Sequence, residues 1–223
     1  LSTGDNSTAV GRYALKDCST GSGNVAVGLN AMENTTTASN NTAVGTQALE
    51  NNTTGDQNTA LGYQCLQDAA TSQYNTTVGY QAGLQVSTGN GNTLMGVNAG
   101  SAITQSNHNV AIGRNAAVNI TTGIQNTAVG SYTLDAITTS SNNTAVGYGV
   151  LTATTSGTSL SAVGTNALAN NTTGDYNTAM GTGCMEANTT GANNTAMGYL
   201  ALDNNTTASN NTCLLYTSDA ADE

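Results

Sequence analysis

The chain has 223 residues and a formal charge of −10, yet only 7% of its residues are charged, and it contains no Pro, Trp or Phe. Arg12, Lys16 and Arg114 are its only cations, which excludes a surface that tracks nucleic-acid phosphates. No run of about 18 apolar residues occurs, so no helix is expected to enter a membrane, and large apolar side chains are too scarce for an ordinary globular core.

Taken in order, the chain repeats one unit, N-T-A-V-G-x-x-A-L-x-x-N-T-T-G-x-x. Its glycine falls at Gly11, Gly28, Gly45, Gly62, Gly79, Gly96, Gly113, Gly130, Gly147, Gly164, Gly181 and Gly198, every interval being 17 residues. A fixed period in this range marks a stacked-repeat architecture. Strict register over twelve copies argues against disorder, which needs no register. The chain opens at Leu1 in mid-repeat and is read as a piece of a longer protein. A thirteenth copy opens at Asn210-Asn211-Thr212 and breaks at Cys213, where Ala is expected. Residues 1–212 are read as the solenoid. The last eleven, CLLYTSDAADE (213–223), look like a translated sequencing adapter and are set aside as non-native.

Within a copy, Thr-Ala-Val is β-prone and bounded by Asn and Gly, so it predicts a short strand. Period 2 puts Thr42 and Val44 on one face and Ala43 and Gly45 on the other. Val25 and Val110 stand in for the Thr, which predicts partial burial there. Gln47-Ala48-Leu49 is read as a second short strand, and Thr53-Thr54-Gly55 as a turn. Helical repeats are excluded, because 17 residues cannot hold two helices and Gly, Thr and Asn are poor helix formers. The expectation is an all-β, parallel β-solenoid (β-roll) of twelve coils with two short strands each, in which stacking buries what a single coil cannot.

Asn24, Asn41, Asn58, Asn75, Asn92, Asn109, Asn126, Asn143, Asn177 and Asn194 head ten of the twelve copies. Stacked in register, they predict an amide ladder bonding coil to coil. The large residue after the second Ala shrinks to Gly83, Gly100 and Ala117 in three consecutive copies. A position three residues on then becomes Val86, Ile103 and Ile120. These are predicted to refill the volume, helped by Leu84 and Val118, since an unfilled cavity costs a few kcal/mol. The small Ala/Gly face predicts close packing against a second and third chain, since a thin core needs oligomerisation.

Catalytic constellations are missing, and no enzyme, cofactor or metal is expected. His108 is the only histidine, so neither a triad nor a zinc site can be assembled from imidazoles. Cys65 and Cys184 occupy the second Ala position and read as small buried hydrophobes. Cys18 sits at a turn. Asp5, Asp56 and Asp175 each follow a Gly, but the spacing of calcium-binding nonapeptide repeats is absent. Tyr63, Tyr80, Tyr148 and Tyr199 follow the pentapeptide's glycine. They are candidate surface contacts, able to stack on sugars or to cover neighbouring apolar surface.

Asn58-Thr59-Ala60-Leu61-Gly62-Tyr63 and Asn143-Thr144-Ala145-Val146-Gly147-Tyr148 resemble the head repeats of trimeric autotransporter adhesins, whose S-V-A-I-G core lies in a parallel β-roll with three chains side by side. The longer phrase is similar to repeats in bacteriophage tail fibres. The resemblance covers residues 1–212. It implies a homotrimeric fibre segment on a virion or a cell surface, serving as a spacer and as a contact to a host-surface glycan or protein. An ice-binding or carbohydrate-binding solenoid is the alternative, with Thr53, Thr121, Thr138, Thr155, Thr172, Thr189 and Thr206 as the hydroxyl row.

Overall fold

A computed structural model describes residues 6–215. It is a parallel β-solenoid. Thirteen three-residue strands, β1 (Thr8–Val10) through β13 (Thr212–Leu214), form one sheet in strict chain order. Each pairs with its neighbours in parallel at an offset of one repeat: Thr42 opposite Thr59, Ala43 opposite Ala60, Val44 opposite Leu61. The register runs past the expected break, since Cys213 lies opposite Ala196 and Leu214 opposite Met197. Residues 216–223 of the supposed adapter lie outside the described residues.

There is one strand per coil, not two. The segment from Gln47 to Asn51 does hold its neighbours by inter-coil bonds at alternate residues: Gln47 N–H to Leu29 O, Leu49 N–H to Cys65 O and Asn51 N–H to Gln67 O. Yet Gln47 and Leu49 have φ of 58° and 50°, and the matching residues of most other coils are likewise left-handed. Residues in that region cannot extend as β-strand, so the segment curls and closes the coil. Glycine is strain-free there, which explains Gly149 and Gly183 at the first position and Gly83 and Gly100 at the second.

The expected Ala/Gly interface between chains is corrected by the burial pattern. Ala26, Ala43, Ala60 and their equivalents are fully buried inside their own coil. They face the second small residue and the large one after it. Cys65 Sγ, for instance, lies 3.1 Å from Thr77 Oγ1. With Leu49 or Met32 filling the lumen from one wall, only a methyl group fits on the other. The outward face is the Thr/Val one, and Val25 and Val110 are half-buried there.

The glycine that ends each strand has φ between 124° and 141°, a region closed to L side chains. A Cβ there would also lie under 3.0 Å from the backbone one coil on, which is again a glycine at every level but the last, where Gly198 meets Leu215. The glycines therefore form a column because the coils touch backbone to backbone at this corner.

The lumen is refilled at Gly83 and Gly100 mainly by Leu94, which replaces the strand's Ala. A Cβ on Gly83 would lie 2.9 Å from Leu94 Cδ1, and one on Gly100 2.8 Å from Leu94 Cδ2 and 2.9 Å from Ile103 Cδ1. Val86, Ile103 and Ile120 are fully buried as expected, whereas Leu84 and Val118 are only half-buried.

Three polar ladders run along the rod. In the first, Asn41 donates its backbone N–H (3.0 Å) and its Nδ2 (3.3 Å) to Asn24 Oδ1 on the previous coil. Its Nδ2 also reaches Gly55 O at 2.9 Å, across the mouth of the turn. The same pattern recurs at Asn58, Asn75, Asn92, Asn109 and Asn126. In the second, the Thr or Ser that opens most turns donates to the next coil's carbonyl, as Thr53 Oγ1 does to Ala70 O at 2.8 Å. In the third, short polar side chains accept the preceding coil's N–H, as Asp56 Oδ1 does from Ser39 at 2.7 Å. The groups in these ladders are thus satisfied one coil away, which avoids a cost of about 1–3 kcal/mol per orphaned group.

Candidate interaction surface

The strand exposes its first and third residues. The outcome is a flat face with a threonine column beside an apolar one. Val44 is 39% exposed, Met180 43% and Met197 41%, and Leu61, Met95 and Val163 belong to the same column. The next exposed column, two residues on and beyond the glycine, carries Leu29, Tyr63, Tyr80, Val97, Tyr148 and Tyr199. Large side chains stacked at ~4.8 Å along a rod cannot all be scattered surface residues. Here the strand's third residue is apolar in every coil and forms a continuous column, to which the column beyond the glycine adds large side chains at intervals. Such an apolar strip is the form an association surface takes.

The four tyrosines singled out in the sequence lie on this strip but are not equivalent. Tyr63 and Tyr80 stack, with ring centroids 5.4 Å apart and planes 12° from parallel. Tyr148 meets the edge of Tyr132 at 6.0 Å, and Arg114 lies over the Tyr132 ring at 5.8 Å. Tyr199 is 66% exposed. Beside the Tyr63–Tyr80 pair runs an amide row missed in the sequence, in which Gln81 Nε2 donates to Gln64 Oε1 at 2.8 Å and Gln64 Nε2 to Gln47 Oε1 at 3.1 Å. The signal was present as three consecutive glutamines 17 apart. Two further tyrosines, Tyr74 and Tyr176, sit on a different corner.

The remaining candidates resolve into structural roles. Of the seven threonines of the predicted hydroxyl row, Thr53, Thr121, Thr155, Thr172 and Thr189 donate their hydroxyls to carbonyls of the following coil, so most of this column is engaged within the rod. Asp56 and Asp175 accept backbone N–H groups at 2.7 Å. Asp5 lies outside the described residues. His108 is exposed at a corner with φ of 57°. Cys18 is buried at the end of its turn, where its thiol reaches Gly21 O at 3.5 Å, and all four cysteines are free thiols. Burial pushes the Cys65 thiol up, partly offset by its bond to Thr77, and raises Cys184 as well. Both are therefore poor nucleophiles. No group of three or more His, Cys, Asp or Glu residues able to hold a metal occurs among the described residues. No helix among them is long and apolar enough to cross a membrane.

No protein-family model matches the chain, and no curated protein or solved structure shows significant similarity to it.

Proposed function

We propose that the chain is a segment of an extracellular fibre, a spacer and host-contact shaft of a bacteriophage tail fibre or a bacterial surface adhesin, and that it works as a homotrimer. The observation that carries this reading is the exposed apolar column on the outer face of the sheet, from Val44 to Met197. Thirteen strands at ~4.8 Å make that face about 58 Å long, and the four residue steps from the Thr to the residue after the glycine span about 13 Å. The roughly 750 Å² so outlined is close to the ~800 Å² per partner of a stable association. Copies packed along it would cover the methyl and thioether groups and leave the turn corners in water. Tyr148 and Tyr199 stand in the column that forms the rim of this face, and the ring edges left in water there supply the contact to a host-surface glycan or protein.

The rod's construction supports a mechanical rather than a chemical role. Its polar ladders bond from coil to coil, its core thiols are buried, and its single histidine stands alone on a corner. The ice-binding alternative is not adopted, because five of the seven threonine hydroxyls it would use already donate to backbone carbonyls.

Sedimentation equilibrium of the purified chain tests the proposal. A trimer is expected. Val44→Lys with Val146→Lys, which places charges on the covered column without touching the lumen, is expected to give a folded monomer. A wild-type chain that stays monomeric at high micromolar concentration would end this reading.

A further inference from the structure

A perfectly periodic face has a weakness when it meets its own copy. Two such rods slid past each other by one coil would find the same side chains opposite them again. The loss is one rung of contact in thirteen. Backbone geometry cannot prevent the slip, because every strand pairs at the same offset and every coil has the same length. Only departures from the repeat can.

The face carries such departures in a block. The outward column is mostly valine, but Leu61 and Met95 are wider. The neighbouring column varies, with Thr46, Val97, Thr165 and Thr182 at some levels and single rings at Tyr148 and Tyr199. Only Tyr63 and Tyr80 fall on consecutive coils, stacked ring on ring, with Leu61 level with the first and Met95 one coil beyond the second. The next residue of each of these coils belongs to the Gln47–Gln64–Gln81 amide row, which ties the coils together at this level. The result is a ridge spanning three coils, with its ring pair flanked along the axis by the smaller Thr46 and Val97. A second, spaced departure, Met180 and Met197, lies near the other end of the described rod.

We propose that this ridge, Leu61, Tyr63, Tyr80 and Met95, sets the axial register between copies of the chain. This rests on the reading that copies associate through the sheet face. In register, each ridge meets its counterparts at one level and the smaller side chains close on one another above and below. A slip of one coil drives a tyrosine against a level sized for Thr or Val and leaves a gap at the other end. Steric mismatch of this kind selects one alignment among otherwise equivalent ones, as a negative element does in any specific interface. Without it, staggered copies would leave half-covered faces that recruit further copies, and association would not close.

The test is sedimentation velocity of the full chain against a variant whose ridge is returned to the repeat's own residues, Leu61→Val, Tyr63→Thr, Tyr80→Thr and Met95→Val. Those residues already occupy the same columns in other coils, and circular dichroism checks that the fold is kept. The expected result is one sharp oligomeric species for the wild type and a broad series of larger, staggered assemblies for the variant. A sharp variant species of wild-type size would overturn the register proposal and leave the sheet-face association standing. A folded monomeric variant would also overturn it, by showing that these residues supply affinity rather than alignment. A monomeric wild type would remove the underlying association itself. Restoring Tyr63 and Tyr80 alone should narrow the distribution again; failure to do so would take the ring pair out of the ridge.

Discussion

Asn143 Oδ1 accepts the backbone N–H of Leu160 at 3.0 Å, and Leu160 has no oxygen to pass on to Asn177. The amide ladder is therefore broken at one rung. Leu160 is fully buried, so the break is filled with hydrocarbon. Leu160→Asn should exchange that packing for two new bonds and change stability by only about 1 kcal/mol. Its signature is local. The Asn177 amide proton should become markedly slower in hydrogen exchange, because the introduced side-chain oxygen would now accept it.

The reverse change belongs in the unbroken stretch. Asn109 Oδ1 receives both the N–H (2.9 Å) and the Nδ2 (3.2 Å) of Asn126, and Asn109 Nδ2 reaches Gly123 O at 3.1 Å. Asn109→Leu removes these three bonds, and with them the donations of Asn109 Nδ2 to Asn92 Oδ1, Ser106 Oγ and Asn107 O, from a buried site. The expected cost is about 3 kcal/mol or more, seen as a lower urea midpoint with an unchanged slope.

Two glycines should behave differently when given a methyl group. Gly62→Ala puts a Cβ into the backbone of Gly79 at a φ of 141°, so both strain and clash oppose it. The expected loss is about 3 kcal/mol or more. Gly83 has a φ of 61°, a conformation that Ala117 adopts at the equivalent place, and its Cβ would meet the flexible tip of Leu94. Gly83→Ala should cost about 1 kcal/mol, and Gly83→Leu considerably more through overpacking. Combining Gly83→Leu with Leu94→Ala restores the usual residues at both positions. A double-mutant cycle should then show a favourable coupling of about 1–3 kcal/mol.

Asp135 gives a pH dependence. Its Oδ1 is buried without a hydrogen-bond partner, and desolvation raises its carboxyl above the ordinary 3.8. The folded form therefore holds its proton more tightly than the unfolded form. That contribution to stability is present below the unfolded value and is lost as pH rises through the raised one. Asp135→Asn removes the charge, so it should raise the melting temperature at pH 7 and give little or no gain near pH 3.

Thiol accessibility offers a check on burial. Cys18, Cys65 and Cys184 are buried, and Cys213 is partly exposed. Maleimide should label one thiol per native chain, at Cys213, and four in denaturant. Rapid native labelling of Cys65 would contradict its place beside Thr77.

The 17-residue period was readable because stacking makes each side chain the neighbour of its own equivalent, so a column keeps its residue type. The direction in which the strand faces was not. Alternation alone allows either Ala43 or Val44 to point inward. The choice depends on lumen width, and that is set by Leu49 and its equivalents on the opposite wall, which pattern along the strand does not report. The left-handed residues were hidden for a related reason. Gln47 and Leu49 are unusual at positive φ, and only Gly149, Gly183, Gly83 and Gly100 betray those positions. Leu94 is not legible as the filler from the residues that follow Gly83 along the coil, because the space is filled from the opposite wall. The apolar strip became legible only once the strand's outer face was known.

The ladders have a bearing on load. Their hydrogen bonds point along the rod, so a pull on its two ends falls on every junction in series. Such a rod should not snap; it should unreel coil by coil, each release freeing 17 residues and adding roughly 55 Å of slack. The junction above Leu160, short of its amide links, should be where the unspooling begins.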